Sequence, residues 1–244
     1  VRPDLPRSAL SFGADLVVHS LHKSAPGLVQ SAVLWSQGDI VDPFKIERSL
    51  GLLQTSSPSS LLLASCECSL KELFNSRGKK KLRSRIQEAE SISDFLISKG
   101  VPLLKSSDPL KIILHSAKFG INGIEADKKF INEKIIGELP EPGTLTLCLG
   151  FSSHKGLAKR FVRIWNKILQ SSSSKKVSCF FKKPPFEIVS KPYMPCSSSW
   201  LSDFEIVNLK DSIGKVSVEM ICPYPPGIPL LVPGEILDEA RVEW

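Results

Sequence analysis

The alternation of strand-like and helix-like segments after residue 100 constrains the fold of this chain most. Residues 111–116 and 144–150 are short and apolar, which predicts strands. Residues 125–136 and 157–169 carry apolar side chains near helical spacing, which predicts helices. Because alternating strands and helices pack in layers, we predict a compact α/β domain, with a domain boundary near residue 100.

The first hundred residues predict a different arrangement. Residues 15–20 and 31–36 are short, apolar and β-branched, so we expect two neighbouring buried strands. Residues 43–53 can form a helix with a proline at its first position. Residues 70–99 predict a long amphipathic helical segment that is broken around Gly78.

Two other stretches have a biased composition. Residues 223–234 contain five prolines and two glycines, which excludes a helix or a central strand and predicts a rigid, irregular wall. Residues 171–176 contain only serine and lysine, and such a segment has too little apolar surface to offset the entropy of ordering. We therefore predict a mobile linker there.

Composition allows a sizeable core and argues against two classes of partner. The chain has 244 residues, 42% of them hydrophobic, and a formal net charge of +7. The longest apolar runs fall far short of the roughly 20 residues that span a bilayer, so we expect no membrane partner. Much of the positive charge lies in one run without interleaved aromatic residues, and we expect a solvated helix start rather than a nucleic-acid surface. The run comprises Arg77, Lys79, Lys80, Lys81, Arg83 and Arg85.

The six cysteines contain no C-x-x-C pair, and no histidines stand beside them at zinc-ligand spacing. We expect reduced, mostly buried thiols and no metal site. The first residues, 1–6, include neither an initiator methionine nor a signal-peptide core, so the chain begins as though cut from something longer.

The motif with the most chemistry is Ser20-Leu21-His22-Lys23, directly after a predicted strand. A lysine amine can bond covalently to an aldehyde cofactor, and Ser20 and His22 are donors that could hold the phosphate of the same cofactor. A four-residue pattern of this kind also occurs in ordinary loops, where the lysine is merely solvated. The motif therefore needs its context.

That context resembles the Orn/Lys/Arg decarboxylase family, bacterial-type enzymes of fold type I that depend on pyridoxal 5'-phosphate. Residues 13–32 resemble the family's cofactor-lysine segment, and residues 219–235 resemble its C-terminal signature. Residues 46–65 and 120–149 look like the corresponding segments of cyanobacterial and plant members. The resemblance covers nearly the whole chain.

The resemblance implies an α/β fold in two parts. Residues 1–100 would form the end of the large domain of a pyridoxal-phosphate-dependent transferase-like fold, with a mostly parallel sheet and a connecting helix. Residues 101–244 would form a smaller α/β C-terminal domain. Residues 55–57 match a loop near the dimer interface, so a homodimer or larger homo-oligomer is the expected assembly.

The resemblance also implies a reaction, in which arginine, lysine or ornithine loses carbon dioxide and becomes the amine, as in polyamine biosynthesis. Lys23 matches the lysine that carries the cofactor, and Ser20 and His22 match residues that hold its phosphate. Lys23 or His22 would return a proton to the substrate carbon. Glu235 flanks the proline-rich segment and is a candidate contact for the cationic substrate. We expect a soluble intracellular protein, and the resemblance leaves its compartment open between the cytoplasm and a plastid.

The chain also departs from the family's pattern. Such enzymes need a carboxylate beside the pyridine nitrogen of the cofactor, and Asp4 and Asp15 are the only carboxylates before Lys23. Neither lies in the family's D-x-x-H context. Two interpretations therefore stay open: part of a working decarboxylase, or a truncated, non-catalytic homologue that acts through dimerisation.

Overall fold

The computed structural model describes residues 5–171, 183, 186, 192–224 and 227–244. They fall into two compact units, Val1–Val177 and Ser178–Trp244. Short 3-10 turns occur at Ala9–Phe12, Ser116–Phe119 and Leu209–Ser212. The helices and strands are, in chain order, β1 (Leu16–Ser20), α1 (Leu21–Ser24), β2 (Ala32–Ser36), α2 (Pro43–Leu53), α3 (Ser60–Phe74), α4 (Ser76–Ser98), β3 (Leu103–Leu104), β4 (Lys111–Leu114), α5 (Gly123–Asn132), β5 (Leu139–Pro140), β6 (Leu145–Cys148), α6 (Leu157–Ser171), α7 (Cys196–Trp200) and α8 (Glu239–Glu243).

Strands β1 and β2 form a two-stranded antiparallel sheet in which Ser20 pairs with Ala32. The expectation of a mostly parallel sheet is therefore wrong for the pairs described, because the connection between β1 and β2 is too short for a crossover. The expected burial is also wrong. Val18 is 68% exposed and Leu16 41%, so one apolar face of this sheet stays open in the described part of the chain.

Helix α2 confirms the predicted bounds and their cause. The Asp42 carboxylate accepts a hydrogen bond from the backbone N–H of Phe44 at 2.9 Å, and Pro43 occupies the first turn. The Ser59 hydroxyl accepts a bond from Leu62 N–H in the same way, and it starts α3. Local capping chemistry thus sets where both helices begin.

The break between α3 and α4 falls at Asn75, three residues before the predicted position. The Asn75 side chain accepts a hydrogen bond from the backbone N–H of Gly78 at 2.7 Å and caps α4. Gly78 lies inside the first turn of α4 and permits a close approach, since a Cβ there would lie 1.5 Å from the carbonyl oxygen of Glu72. The glycine therefore allows contact between the helices instead of breaking one.

A second sheet, in the antiparallel order β3-β4-β6-β5, lies in the main hydrophobic core of the first unit. Leu145, Leu147 and Leu149 are all buried, which confirms the alternation in that strand. Helix α6 buries four residues at helical spacing, and each such side chain contributes roughly 1.5–3 kcal/mol relative to exposure. These residues are Phe161, Ile164, Trp165 and Ile168.

Helix α5 begins and ends earlier than predicted. The Asn122 side chain accepts hydrogen bonds from Ile124 and Glu125 N–H, which starts the helix at Gly123. Lys134 has a φ of 61°, a left-handed conformation that no helix can continue through.

The core also contains the buried side of α4, including Ala89, Ile92 and Leu96. One compact unit therefore continues past residue 100 and ends at Val177. The domain boundary near residue 100 stays a prediction about the two family segments.

The second unit has little regular structure in its described residues. Isolated bridges join Val216 to Ile236 and Ile221 to Leu231. Gly234, with a φ of 94°, lies so close to the backbone that a Cβ would be 2.2 Å from the Met194 carbonyl oxygen. The described part of residues 223–234 contains no helix. The predicted linker at 171–176 lies outside the described residues except for its first residue.

Candidate functional site

The strand-to-turn junction at the end of β1 brings together the three residues that the motif predicts. Ser20 is the last residue of β1, and α1 begins at Leu21. Leu21 is only 4% exposed and anchors this short helix in the fold. His22 is half-buried and Lys23 is exposed. The junction thus holds two potential donors beside an accessible amine.

His22 has a defined ring contact. Its Nδ1 lies 3.1 Å from the backbone carbonyl oxygen of Ser31, the residue before β2. A carbonyl oxygen can only accept a hydrogen bond, so Nδ1 must carry the proton. The other ring nitrogen, Nε2, is then an acceptor in the neutral ring and a donor only in the imidazolium.

Ser20 and Lys23 are free to meet a ligand. Ser20 is the N-cap residue of α1, yet its hydroxyl makes no capping hydrogen bond. A hydroxyl at this position is able to donate to a phosphate oxygen. These observations fit the phosphate and aldehyde ends of pyridoxal phosphate.

Asp15 is the one carboxylate before Lys23 that lies among the described residues. Asp15 precedes β1 and Lys23 follows it, so the strand separates their backbones by roughly 17 Å at about 3.3 Å per residue. The two residues thus lie at opposite ends of β1. Asp4 lies outside the described residues.

The face of the sheet next to the junction carries an aromatic cluster that sequence analysis missed. The indole N–H of Trp35 donates to Nδ1 of His19 at 3.0 Å, and the Phe74 ring meets Trp35 edge-on at 6.4 Å between centroids. Only the strand register brings His19 and Trp35 together, and no local pattern in the sequence announces it.

The predicted interface loop at residues 55–57 is an exposed turn. The backbone N–H of Ser57 donates to the Thr55 hydroxyl at 3.1 Å. This geometry is that of a local turn, and the role of the loop at a dimer interface stays a prediction.

Glu235 lies in the second unit, and its carboxylate has partners there. The residue is 6% exposed, and one carboxylate oxygen accepts a hydrogen bond from the Val232 backbone N–H at 2.8 Å. Arg241 lies 4.0 Å from the other oxygen and also stacks on the Phe186 ring, at 4.8 Å. A substrate contact by Glu235 stays a prediction, but a structural role for this carboxylate is already visible.

The residues that the structure describes contain no group of three or more metal-binding side chains, and their helices include no candidate membrane span. The cysteines among them are not in disulfides, but the expectation of mostly buried thiols is wrong, since Cys66 is half-buried and the others are exposed: Cys68, Cys148, Cys196 and Cys222. Burial raises the pKa of the Cys148 thiol, as does the nearby Glu138 carboxylate.

Two family models match separate parts of the chain. The major domain of Orn/Lys/Arg decarboxylase matches residues 3–130. The C-terminal domain of Orn/Lys/Arg decarboxylase matches residues 175–244. The first match includes residues 13–32 and 46–65, and the second includes residues 219–235, three of the segments that carry the sequence resemblance.

Curated relatives agree with these matches. The arginine decarboxylase of Bacillus subtilis (strain 168) is 28% identical in an alignment of 257 positions that covers 99% of this chain and 51% of that protein. The constitutive lysine decarboxylase of Escherichia coli (strain K12) is 41% identical over 51 residues, 21% of this chain and 7% of that protein. The chain spans about half the length of the arginine decarboxylases that it matches.

Solved structures show the same fold. The constitutive lysine decarboxylase of E. coli superposes with a TM-score of 0.68 at 16% identity, over 93% of this chain and 44% of that chain. The lysine decarboxylase of Francisella novicida gives 0.67 at 18% identity, over 92% and 43%. At this identity the likeness concerns the fold alone.

Proposed function

Because this chain belongs to the Orn/Lys/Arg decarboxylase family, we propose that it contributes to the decarboxylation of arginine, lysine or ornithine with pyridoxal phosphate as cofactor. The observation that carries the proposal is the junction at the end of β1, where Ser20, His22 and Lys23 stand together and the His22 ring is tied to Ser31. The chain spans about half of its curated relatives, so the proposal concerns the whole protein to which these residues contribute.

Three side chains would hold the cofactor. The Lys23 amine would bond to its aldehyde carbon, and an exposed position leaves that amine accessible. The Ser20 hydroxyl, which caps no helix, would donate to a phosphate oxygen. When bound, pyridoxal phosphate supplies a sink for the electron pair that the departing carboxylate leaves behind.

His22 would meet the phosphate in its charged form. Its Nδ1–H is engaged with the Ser31 carbonyl, so only Nε2 is left for a ligand. Nε2 donates only when the ring is an imidazolium, and the negative charge of a phosphate favours that form. His22 and Lys23 are both titratable and close to the site, and either would return the proton to the substrate carbon.

The chain would also select the reaction by alignment. A substrate held with the bond between its α-carbon and carboxylate perpendicular to the cofactor ring loses carbon dioxide in preference to a proton. Contacts to the substrate's basic side chain would fix that orientation. Glu235 is the candidate named by the sequence, although its carboxylate also faces Arg241.

A non-catalytic role in dimerisation is the second candidate, and one observation favours it. Large apolar side chains are exposed on the first unit, including Val18 at 68%, Leu53 at 86% and Leu61 at 68%. A dimer that covers such side chains would account for their exposure, because large exposed apolar surface is typical of an interaction site.

Release of carbon dioxide from carboxyl-labelled arginine, lysine and ornithine distinguishes the two candidates. We expect the whole protein with pyridoxal phosphate to release label from at least one of them, and Lys23→Ala to reduce release at least a hundredfold because the cofactor loses its covalent support. Lys159→Ala, an exposed lysine on α6, is the matched control and should release label like the wild type.

Equal release from the wild type and Lys23→Ala would contradict the proposed catalytic role of Lys23. No release with any of the three substrates, together with self-association in sedimentation, would favour the dimerisation role.

A further inference from the structure

We propose that Ser31 and Ser65 are positioning residues that orient the His22 ring and fix its tautomer. The consequence for ligand binding rests on the proposed function, whereas the effect on the ring does not. Neither serine is part of the sequence motif, and both act through the loop that returns from Lys23 to β2.

The Ser31 carbonyl is the centre of this arrangement. It accepts hydrogen bonds from the Leu21 backbone N–H at 3.0 Å and from His22 Nδ1 at 3.1 Å. A carbonyl oxygen has two lone pairs, and here both accept hydrogen bonds from residues of α1. Any movement of this carbonyl therefore changes the position of the His22 ring.

The Ser31 side chain holds the carbonyl in place. Ser31 is 2% exposed, and its hydroxyl donates to the Leu28 carbonyl oxygen at 2.6 Å. Its backbone N–H donates to the same oxygen at 3.0 Å. Gln30 between them has a φ of 76°, a left-handed conformation that is unfavourable for a residue with a side chain, so the turn depends on these bonds.

Ser65 attaches this turn to the rest of the molecule. Its hydroxyl, on helix α3, accepts a hydrogen bond from the Leu28 backbone N–H at 2.8 Å. The contacts therefore run from α3 through Ser65 and Leu28 to Ser31, and from Ser31 to His22. Helix α3 has fifteen residues, so this hydrogen bond attaches the loop to a longer element than the small two-stranded sheet that it connects.

Gly27 makes the close packing of this loop possible. A Cβ at this position would lie 2.4 Å from the Ser31 hydroxyl oxygen and 3.0 Å from Cβ of Leu21. The loop is thus packed directly against the helix that bears His22. Such packing transmits a small displacement of Ser31 to His22 instead of absorbing it.

With the ring held in this way, His22 presents Nε2, and never Nδ1, to a ligand. A second group that orients a functional imidazole through its other nitrogen is a common device in protein sites. Loss of either serine hydroxyl should let the ring sample both tautomers.

Long-range proton–nitrogen NMR of the histidine rings tests this without cofactor. His22 is assigned among the four histidines by the signal that His22→Gln removes. We expect the wild type to carry its neutral-ring proton on Nδ1, and Ser31→Ala and Ser65→Ala to show a mixture of tautomers. Ser65→Thr keeps a hydroxyl and should restore the wild-type pattern, and Ser91→Ala, which removes an exposed hydroxyl from α4, should not change it.

A wild-type His22 with its proton on Nε2, or identical ring spectra in wild type, Ser31→Ala and Ser65→Ala, would overturn the proposal. Loss of chemical-shift dispersion across the whole spectrum of one variant would indicate that this variant is unfolded. The other serine variant, together with Ser65→Thr, then tests the proposal.

Affinity for pyridoxal phosphate, measured by equilibrium dialysis, separates this inference from the proposed function. We expect Ser31→Ala and Ser65→Ala to weaken binding roughly threefold to tenfold, the range for one lost hydrogen bond. If no variant binds pyridoxal phosphate but the tautomer change is still present, the result would count against the proposed function alone. Unchanged tautomers with normal wild-type binding would count against the positioning role alone.

Discussion

At the scale of single residues, His22 shows how a backbone atom can define the chemistry of a side chain. The Ser31 carbonyl oxygen accepts a hydrogen bond from Nδ1–H and leaves Nε2 as the only ring nitrogen for a ligand. In the neutral ring, Nε2 can only accept a hydrogen bond from that ligand.

Asp127 is a buried residue whose negative charge destabilises the folded state. It is 8% exposed, its Oδ1 has no hydrogen-bond partner among the described residues, and Gly137 lies against it. Burial raises the pKa of Asp127, and the nearby backbone N–H of Gly137 only partly opposes this. The ionised form is therefore penalised in the folded state.

We predict that Asp127→Asn increases the free energy of unfolding at pH 7 by on the order of 1 kcal/mol, the scale of one unmatched buried polar group. The folded pKa lies above the unfolded value of about 3.9, so the contribution of Asp127 to stability is fully present below that pH and is lost as pH rises through the folded pKa. Urea unfolding from pH 4 to 8 measures the difference, which should grow with pH. A constant or shrinking difference would show that ionisation of Asp127 costs nothing.

Residue types in a sequence can nominate a candidate site where the chemistry belongs to the side chain. Ser20, His22 and Lys23 carry their donors and amine with them, so their types and order were enough to nominate them. Ser31 acts through a carbonyl that every residue possesses, and only the register of β1 and β2 brings it to His22. Its role could not be read from residue types.

At the scale of elements, the junction of α3 and α4 depends on a close approach of two backbones. Gly78 is buried in the first turn of α4 and faces the Glu72 carbonyl. The pair formed by Lys81 and Glu72 spans the same junction at 3.1 Å, but both side chains are about half exposed and contribute little. Backbone packing therefore holds the two helices together here.

We predict that Gly78→Ala destabilises the protein by about 1–3 kcal/mol, the cost of forcing a methyl group into a packed contact. The intrinsic preference of helices for alanine, roughly 1 kcal/mol, acts in the opposite direction and is outweighed. Gly51→Ala is the matched control, because Gly51 lies in helix α2 with nothing within 4 Å of a new Cβ. Urea unfolding should show Gly51→Ala unchanged or more stable, and a stable Gly78→Ala would contradict the packing argument.

Helix bounds were predictable from caps, whereas strand pairing was not. Asp42 and Pro43 mark the start of α2 in sequence and in structure. Strands β1 and β2 pair in antiparallel orientation because the connection between them is too short for a crossover. An apolar pattern alone does not encode this pairing. The break at Asn75 was missed because Gly78 is the more conspicuous helix breaker, although Asn is the better N-cap.

At the scale of the whole molecule, part of the positive charge is used inside the fold. Lys81 pairs with Glu72 and lies 5.9 Å from the Phe151 ring centroid. Arg85 pairs with Glu88, which also accepts a hydrogen bond from the His154 backbone at 2.8 Å. Burial alone would raise the pKa of Glu88, but the hydrogen bonds from His154 and Ser153 and the charge of Arg85 lower it. The basic run thus joins α4 to the loop before α6.

The family and the fold could be predicted from the sequence, because long segments in the right order carry the resemblance. The exposure of the apolar face of β1 could not be predicted, since apolar composition predicts burial without saying which part of the protein covers the strand.

Attachment of pyridoxal phosphate to Lys23 tests the central claim most directly. The protein is mixed with the cofactor, reduced with borohydride and digested, and the modified peptide is identified by mass spectrometry. We predict one modification per chain, on Lys23, absent from Lys23→Ala and retained in Lys159→Ala. Label spread over several surface lysines and unaffected by Lys23→Ala would contradict the assignment of this junction as the cofactor site.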